Sequence, residues 1–264
     1  MKEYLSENQK LWDEWASFHP GTEMYDIKSF LEGRNSLMPI ELEALGTVKG
    51  KRLLHLQCHF GQDTLSWARL GAKATGVDFS EKAIETARRL NQQLGLDAHF
   101  MQSDVLELQG KLEEQFDIVF TSYGVLTWLH NLRQWARVVR HHLKPGGIFF
   151  IVEFHPTFMI FDPENGQSTY SYFHEEAPVE IDIEGGSYAG SYEAKEARKE
   201  FTWQHSLSDI IMALLDAGLT LEEFREYDYS PYDCWPKMEE VAPGQYRSKL
   251  LPGVPHLFSL KMRG

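Results

Sequence analysis

The stretch from Leu53 to Ser80 constrains the fold more than any other part of the chain. An apolar segment, Leu53-Leu54-His55-Leu56, leads into Gln57-Cys58-His59-Phe60-Gly61; a helical segment then runs to Gly71, and Ala74-Thr75-Gly76-Val77-Asp78-Phe79-Ser80 follows. A strand, a tight turn opening a helix, and a second strand ending in an acid form the first half of a nucleotide-binding βαβ unit. In such a unit, backbone amides at the turn and helix start face a carboxylate or phosphate, and the acid at the second strand's tip faces a ribose. The turn here is poor in glycine, so the stretch alone leaves the ligand open.

Composition narrows the setting. The chain has 264 residues, 42% of them hydrophobic, enough for one large α/β domain or a core with an insertion. A formal charge of −13 argues against a surface that neutralises nucleic-acid phosphates or an anionic membrane. The only cysteines, Cys58 and Cys234, are too few for a disulfide framework or a zinc site and fit a reduced, cytoplasmic setting. The N-terminus lacks the apolar core of a signal peptide, and no segment reaches transmembrane length. No His/Cys/Asp cluster has metal-ligand spacing, so no metal is expected.

Alternation of strand and helix then organises the chain. Residues 6–18 read as a helix with Leu11, Trp12, Trp15 and Phe18 on one face, either packed on the core or laid as a lid over a ligand. Short helices around 26–33 and 40–45 complete a helical cap over residues 1–50. From 51 to 154, strands at 52–57, 73–78, 98–102, 116–123 and 148–154 alternate with helices near 63–70, 81–94 and 131–143. Ser80 is the expected N-cap of the helix from Glu81, and Gly95 its stop. The continuous apolar run Ile148-Phe149-Phe150-Ile151-Val152 suits a parallel strand covered on both faces, hence a doubly wound α/β sheet.

Residues 155–205 break this rhythm and are rich in aromatics. They read as an inserted β-rich lid, with Gly185-Gly186 turning a hairpin between Val179–Ile183 and Ser187–Tyr192. Its rings suit a planar or cationic ligand, or else form the lid's own core or a homodimer contact. Residues 206–264 supply a helix from Ser206 and strands near 220–228 and 256–262, with a polar, proline-bearing loop between them.

Four segments together resemble the class I S-adenosylmethionine-dependent methyltransferases of the small-molecule type. Leu53 through Gly61 sits where that family has its first motif, an apolar run, an acid and a glycine-rich G-x-G-x-G turn. Gly76-Val77-Asp78-Phe79-Ser80 matches the second strand and its ribose-binding acid. Ser103-Asp104-Val105 matches the loop whose acid contacts the adenine amino group, and Phe116-Asp117-Ile118-Val119 through Leu143-Lys144-Pro145-Gly146-Gly147 matches the fourth strand, its helix and the following turn. Asp78 follows His55 by 23 residues, close to the roughly 20 that separate turn and acid in dinucleotide folds. The resemblance implies a mostly parallel seven-stranded sheet with an antiparallel last strand. It also implies S-adenosylmethionine as cofactor, S-adenosylhomocysteine as product, and a methyl acceptor that is a small molecule. On it, Gln57, Cys58, His59, Gly61, Asp78, Phe79, Ser80, Asp104, Val105, Tyr123 and Gly124 are the expected cofactor-binding residues.

The departure lies in the first motif. His55 stands in place of the acid, and Gln57 and His59 in place of the first two glycines, which restricts the backbone and narrows the approach of a ligand. Either the loop has lost the cofactor and leaves a non-catalytic nucleotide-binding or regulatory module, or Gln57 and His59 give side-chain hydrogen bonds to the methionine end. His55 reads as a hydrogen-bonded core histidine. A nicotinamide enzyme lacks its G-x-G-x-x-G and a hydrolase its G-x-S-x-G. Ser122-Tyr123-Gly124-Val125 replaces the Pro-Pro-Tyr-type motif of nucleic-acid amino-methyltransferases, although a protein or RNA acceptor stays an alternative. If the acceptor needs a base, His155, directly after the fifth strand, is the candidate.

Overall fold

The computed structural model describes residues 1–193 and 196–264. The elements follow in chain order: α1 (Lys2–Phe18), α2 (Ile27–Leu31), α3 (Pro39–Leu45), β1 (Arg52–Leu56), α4 (Gln62–Arg69), β2 (Lys73–Asp78), α5 (Glu81–Leu94), β3 (His99–Gln102), β4 (Phe116–Ser122), α6 (Leu132–His142) and β5 (Leu143–Phe154). Beyond them come β6 (Val179–Ile183), β7 (Arg198–Thr202), α7 (Leu207–Asp216), β8 (Thr220–Tyr227), β9 (Met238–Ala242), β10 (Gln245–Ser248) and β11 (Leu257–Arg263).

Seven strands form one sheet in the order β3-β2-β1-β4-β5-β11-β8, with β11 antiparallel to both neighbours. Order and direction are those expected of the doubly wound α/β fold. The reversal at β1/β4 opens a crevice outside the strands' carboxyl ends, where ligands bind in such sheets. Central strands are buried on both faces: Leu53, Leu54, Ile118, Val119, Phe120, Phe149 and Ile151 are all inaccessible. One apolar cluster packs α6 and α7 on one face of the sheet; others gather α3, α4 and α5 around the other end and face. No described helix is long and apolar enough to cross a membrane.

Several local expectations are refined. Helix α1 begins at Lys2, before position 6. Strand β5 is extended from Leu143; the Lys144–Gly147 turn is a bulge within it, between the pairs Phe116–Leu143 and Ile118–Ile148. Ser80 caps α5, its Oγ accepting from Ala83 N at 3.0 Å, and Gly95 ends that helix in the left-handed region.

The insertion is where the sequence misleads. Val179–Ile183 pairs antiparallel with Arg198–Thr202, not with Ser187–Tyr192. Double glycine at 185–186 suits a two-residue hairpin turn, but the partner strand is chosen by what it can bury. Phe201 and Trp203 are buried with Tyr4 of α1 packing against both rings, whereas Tyr188 and Tyr192 turn to Trp15 and Phe18 of the same helix and do not pair with β6. The loop before β11 carries the hairpin β9–β10, which its polar composition hides.

Helix α1 ties insertion and core together. Asn8, buried in its middle, donates from Nδ2 to Phe201 O (2.7 Å) and accepts from Phe201 N at Oδ1 (2.9 Å). Its amide thus closes the edge of β7 as another strand would. Gln9, next along the helix, donates to Phe79 O (2.9 Å), and Asp13 Oδ1 receives Ser80 Oγ (2.6 Å) and Lys82 N (3.2 Å). Asn8→Ala leaves two buried backbone groups without partners and is expected to cost about 2–4 kcal/mol. Chemical denaturation measures that loss, and hydrogen exchange at the Phe201 amide should accelerate more than at β4.

Candidate functional site

The turn after β1 holds the unusual residues of the first motif. Gln57, His59 and Gly61 have φ of 56°, 50° and 79°, so three alternate residues are left-handed. The backbone keeps the winding that glycines allow, now with two side chains on it, at roughly 1–2 kcal/mol per non-glycine residue. Three interactions hold it there. Cys58 N donates to Val77 O (2.9 Å), Gly61 N to Cys58 O (2.9 Å), and His59 N to Asp78 Oδ2 (2.8 Å). Gly61 itself cannot change, because a Cβ there would lie 2.5 Å from the Phe100 ring.

The side chains replacing the glycines are half satisfied. Gln57 Nε2 donates to Val125 O (3.0 Å), while its Oε1 is inaccessible and has no partner. His59 Nε2 meets His19 Nδ1 at 2.9 Å, and its Nδ1 is likewise buried and unpaired. Burial holds the imidazole of His59 well below its ordinary pKa, and lowers that of His19 to about 3, so the pair is neutral and shares one proton donor. His19 Nε2 reaches Ser187 Oγ of the insertion (2.9 Å), Trp15 Nε1 donates to Gly186 O (3.1 Å), and Tyr25 Oη lies 2.5 Å from Tyr188 Oη. The loop at 186–188 is thereby latched over the turn.

A cavity of about 1200 Å³ lies beneath this latch. Of the residues expected from the sequence, Gln57, Cys58, His59, Gly61, Asp78, Phe79, Asp104, Val105, Tyr123 and Gly124 all line it. Ser80 does not; its hydroxyl serves the α5 cap and Asp13. Nor is His155 brought to the cavity. Its Nδ1 accepts from Thr157 N (3.1 Å) in the loop after β5, and its Nε2 bonds Glu226 Oε1 (2.9 Å) of β8, so both nitrogens are engaged. The register explains this: β11 covers the edge of β5 there, and His155 N donates to His256 O (2.8 Å).

Each acid has a definite task. Asp78 accepts His59 N at Oδ2 and Ser80 N at Oδ1 (2.9 Å), and burial raises its pKa to about 6. Since a carboxylate oxygen has two lone pairs, each still has one for a ligand hydroxyl. Asp104 Oδ1 accepts Leu106 N (2.8 Å), fixing the loop after β3. Glu153, at the end of β5, receives the amides of Gly124, Val125 (2.7 Å), Leu126 (3.0 Å) and Phe154 (2.6 Å). It holds the loop after β4 in place, with Tyr123 left-handed at φ 35°. His55 is a core residue as expected: Nδ1 bonds Thr64 Oγ1 (2.9 Å), and burial lowers its pKa to about 3.

Some site residues carry no sequence signal. Glu41 is fully buried behind Tyr123, accepting Tyr123 Oη (2.9 Å) and Met38 N (2.7 Å), and burial raises its pKa to about 8. Asp63, in the first turn of α4, accepts Ser36 Oγ (2.6 Å) and lines the cavity with Tyr232. An acid following Gly61 so closely is the one visible hint; Glu41 reads like any exposed helical glutamate.

Comparison with known proteins places this geometry. Residues 54–149 match the methyltransferase domain family. A ubiquinone biosynthesis O-methyltransferase of Bordetella pertussis is 30% identical over 131 residues, covering 48% of this chain and 54% of that protein. The chain therefore spans about half the length of such relatives. An S-adenosylmethionine-dependent methyltransferase of Mesorhizobium loti superposes with a TM-score of 0.57 at 18% identity, over 89% of this chain and all of that one. DhpI, in a structure of its complex with SAH, gives 0.57 at 17% identity over 100% and 98%. At those identities the likeness shows the fold.

Glu41 supplies a pH test. Its folded pKa is raised above that of the unfolded chain, so its contribution is present in full below about pH 4.5 and is lost as pH rises through about 8. Wild-type stability is expected to fall across that interval, and Glu41→Gln, which cannot ionise, to flatten the fall. Thermal melts at pH 5, 7 and 9 measure the difference.

Proposed function

We propose that this chain transfers a methyl group from S-adenosylmethionine to a small-molecule acceptor. The carrying observation is the retained left-handed turn at Gln57, His59 and Gly61. Three hydrogen bonds keep two non-glycine residues in a sparsely populated region there, and such strain is retained chiefly at ligand-binding sites. The cofactor supplies an electrophilic methyl on a sulfonium; the protein supplies position and a dry site.

The residues present fit that group. Gln57 Oε1 and His59 Nδ1 are buried polar atoms without partners, aligned with the methionine end in the resemblance. Asp78 keeps one free lone pair on each oxygen for the two ribose hydroxyls, and Asp104 with Val105 faces the cavity where the base would sit. Helix α1, the 186–188 latch and Trp128 close the site against water, which in an in-line displacement matters as much as any acid or base. His155 has no part in this reading, since its ring bonds Glu226 of β8 and the Thr157 amide and does not line the cavity.

Ligand-dependent melting tests the proposal. S-adenosylhomocysteine at 100 times its Kd should stabilise the protein by about 2.7 kcal/mol, and NAD should not. Absence of any shift with S-adenosylhomocysteine or S-adenosylmethionine at saturation would sink it. Asp78→Ala should lose the shift. In the wild type, affinity should rise as pH passes upward through about 6, where the folded Asp78 ionises and becomes a better acceptor. Calorimetric titration at pH 5 and 7.5 checks the sign.

A further inference from the structure

The cavity of about 1200 Å³ exceeds the roughly 1,000 Å³ upper range of single drug-sized ligand sites. Nucleotide-facing residues occupy the end formed by Gln57, His59, Asp78 and Asp104. Beside that end, Tyr25, whose ring centroid lies 5.7 Å from that of His59, and Tyr188 begin a wall that continues through Asp63, Tyr123 and Tyr232 and has a different chemistry. We propose that this wall, formed by Tyr25, Tyr123, Tyr188 and Tyr232 around the Asp63 carboxylate, binds the acceptor through a positively charged nitrogen, a handle distinct from the atom that is methylated, so that the acceptor carries an ammonium group. The inference rests on the methyltransferase reading and adds to it the acceptor's chemical class.

Phenol rings form the walls. Tyr123 and Tyr232 meet edge to face with centroids 5.1 Å apart, and Tyr25 and Tyr188 are joined through their hydroxyls. Tyr123 is fixed from behind by Glu41, and Tyr25 stands on Phe60 with centroids 4.7 Å apart. Burial, then the neighbouring Asp63 and Glu41 carboxyls, holds the phenol of Tyr232 far above its ordinary pKa, so it stays neutral. Neutral rings present negative faces, which attract cations, alkylammonium groups included.

Charge points the same way. Eight carboxylate side chains line the cavity among the described residues, against one guanidinium, Arg34. Arg34 is already engaged: it donates to Tyr25 O (2.7 Å) and Ser29 Oγ (2.8 Å) and lies 3.9 Å from Asp26. Burial lowers the pKa of His55, His59 and His130, which also line the cavity, and so disfavours their cationic forms. Asp63 keeps Oδ1 on the Ser36 hydroxyl, and burial raises its pKa while Ser36, Ser122 and Arg34 oppose that. An anionic acceptor would meet Asp63 with no free cation beside it among the described residues. A wholly apolar one would leave that carboxyl with only the Ser36 and Ser122 hydroxyls as hydrogen-bond partners and no free cation. An ammonium satisfies both the carboxylate and the ring faces.

The test uses matched probes on the protein saturated with S-adenosylhomocysteine: choline against its neutral isostere 3,3-dimethylbutan-1-ol, and benzylammonium against benzyl alcohol, by titration calorimetry. At least one cation should bind about tenfold or more tighter than its neutral partner. Asp63→Asn and Tyr232→Leu should each reduce that preference several-fold, while Tyr232→Phe, which keeps the ring face, retains it. Lack of preference in both pairs, including no binding of any probe, overturns the inference, as does a preference that survives Asp63→Asn. Loss of S-adenosylhomocysteine affinity in Asp63→Asn overturns it too, by placing that carboxylate at the cofactor. Failure of the wild type to bind S-adenosylhomocysteine at all is a different result and removes the methyltransferase reading itself.

Discussion

The bond from the His59 amide to Asp78 is the constraint on which the rest of the site depends. It joins the turn after β1 to the tip of β2 and keeps the turn left-handed at two residues that would leave that region if free. Side chains at these positions take up space that a glycine turn leaves empty. They also place Gln57 Oε1 and His59 Nδ1 where a glycine turn offers only backbone. Strain held by that bond and two unpaired buried polar atoms coincide at one cavity, and that coincidence supports its proposed reading as a ligand site.

Around that turn, long-range hydrogen bonds serve closure. Asn8 completes β7, His19 and Trp15 hold the 186–188 loop, and Asp13 reinforces the α5 cap. Glu153 does the matching work from below, gathering four amides so that the loop after β4 presents Tyr123 and Gly124 inward. A buried carboxylate with four donors is stable where one with none would not be, since each amide replaces a lost water. The site is thus braced on its floor and latched at its roof, and Tyr25 and Tyr123 in its wall are held by second partners.

Much of this architecture is legible in the amino-acid order. The period of apolar residues locates the five core strands and their helices to within a few positions, because burial on both faces of a parallel sheet writes itself into consecutive residues. Order and spacing single out Asp78, Asp104 and the turn residues, and these do share one cavity. The insertion is less legible. Gly185-Gly186 advertises a turn that the chain does not use to pair its flanks: Phe201 and Trp203 pack on Tyr4, while Tyr188 and Tyr192 of the 187–192 segment pack on Trp15 and Phe18.

What the sequence determined alone was therefore local and periodic: strand, helix, cap, and the acid at the end of β2. Tertiary structure decided which polar groups meet. Glu41 and Tyr123 lie 82 positions apart, and His19 and His59 lie 40 apart, so no spacing in the chain announces either pair. The same holds for His155, whose place after β5 suggests chemistry, whereas Glu226 of β8 claims one ring nitrogen and the Thr157 amide the other. Hydrophobic periodicity survives in sequence because every turn of an element repeats it. A contact between two distant polar side chains occurs once, and only the closed fold reveals it.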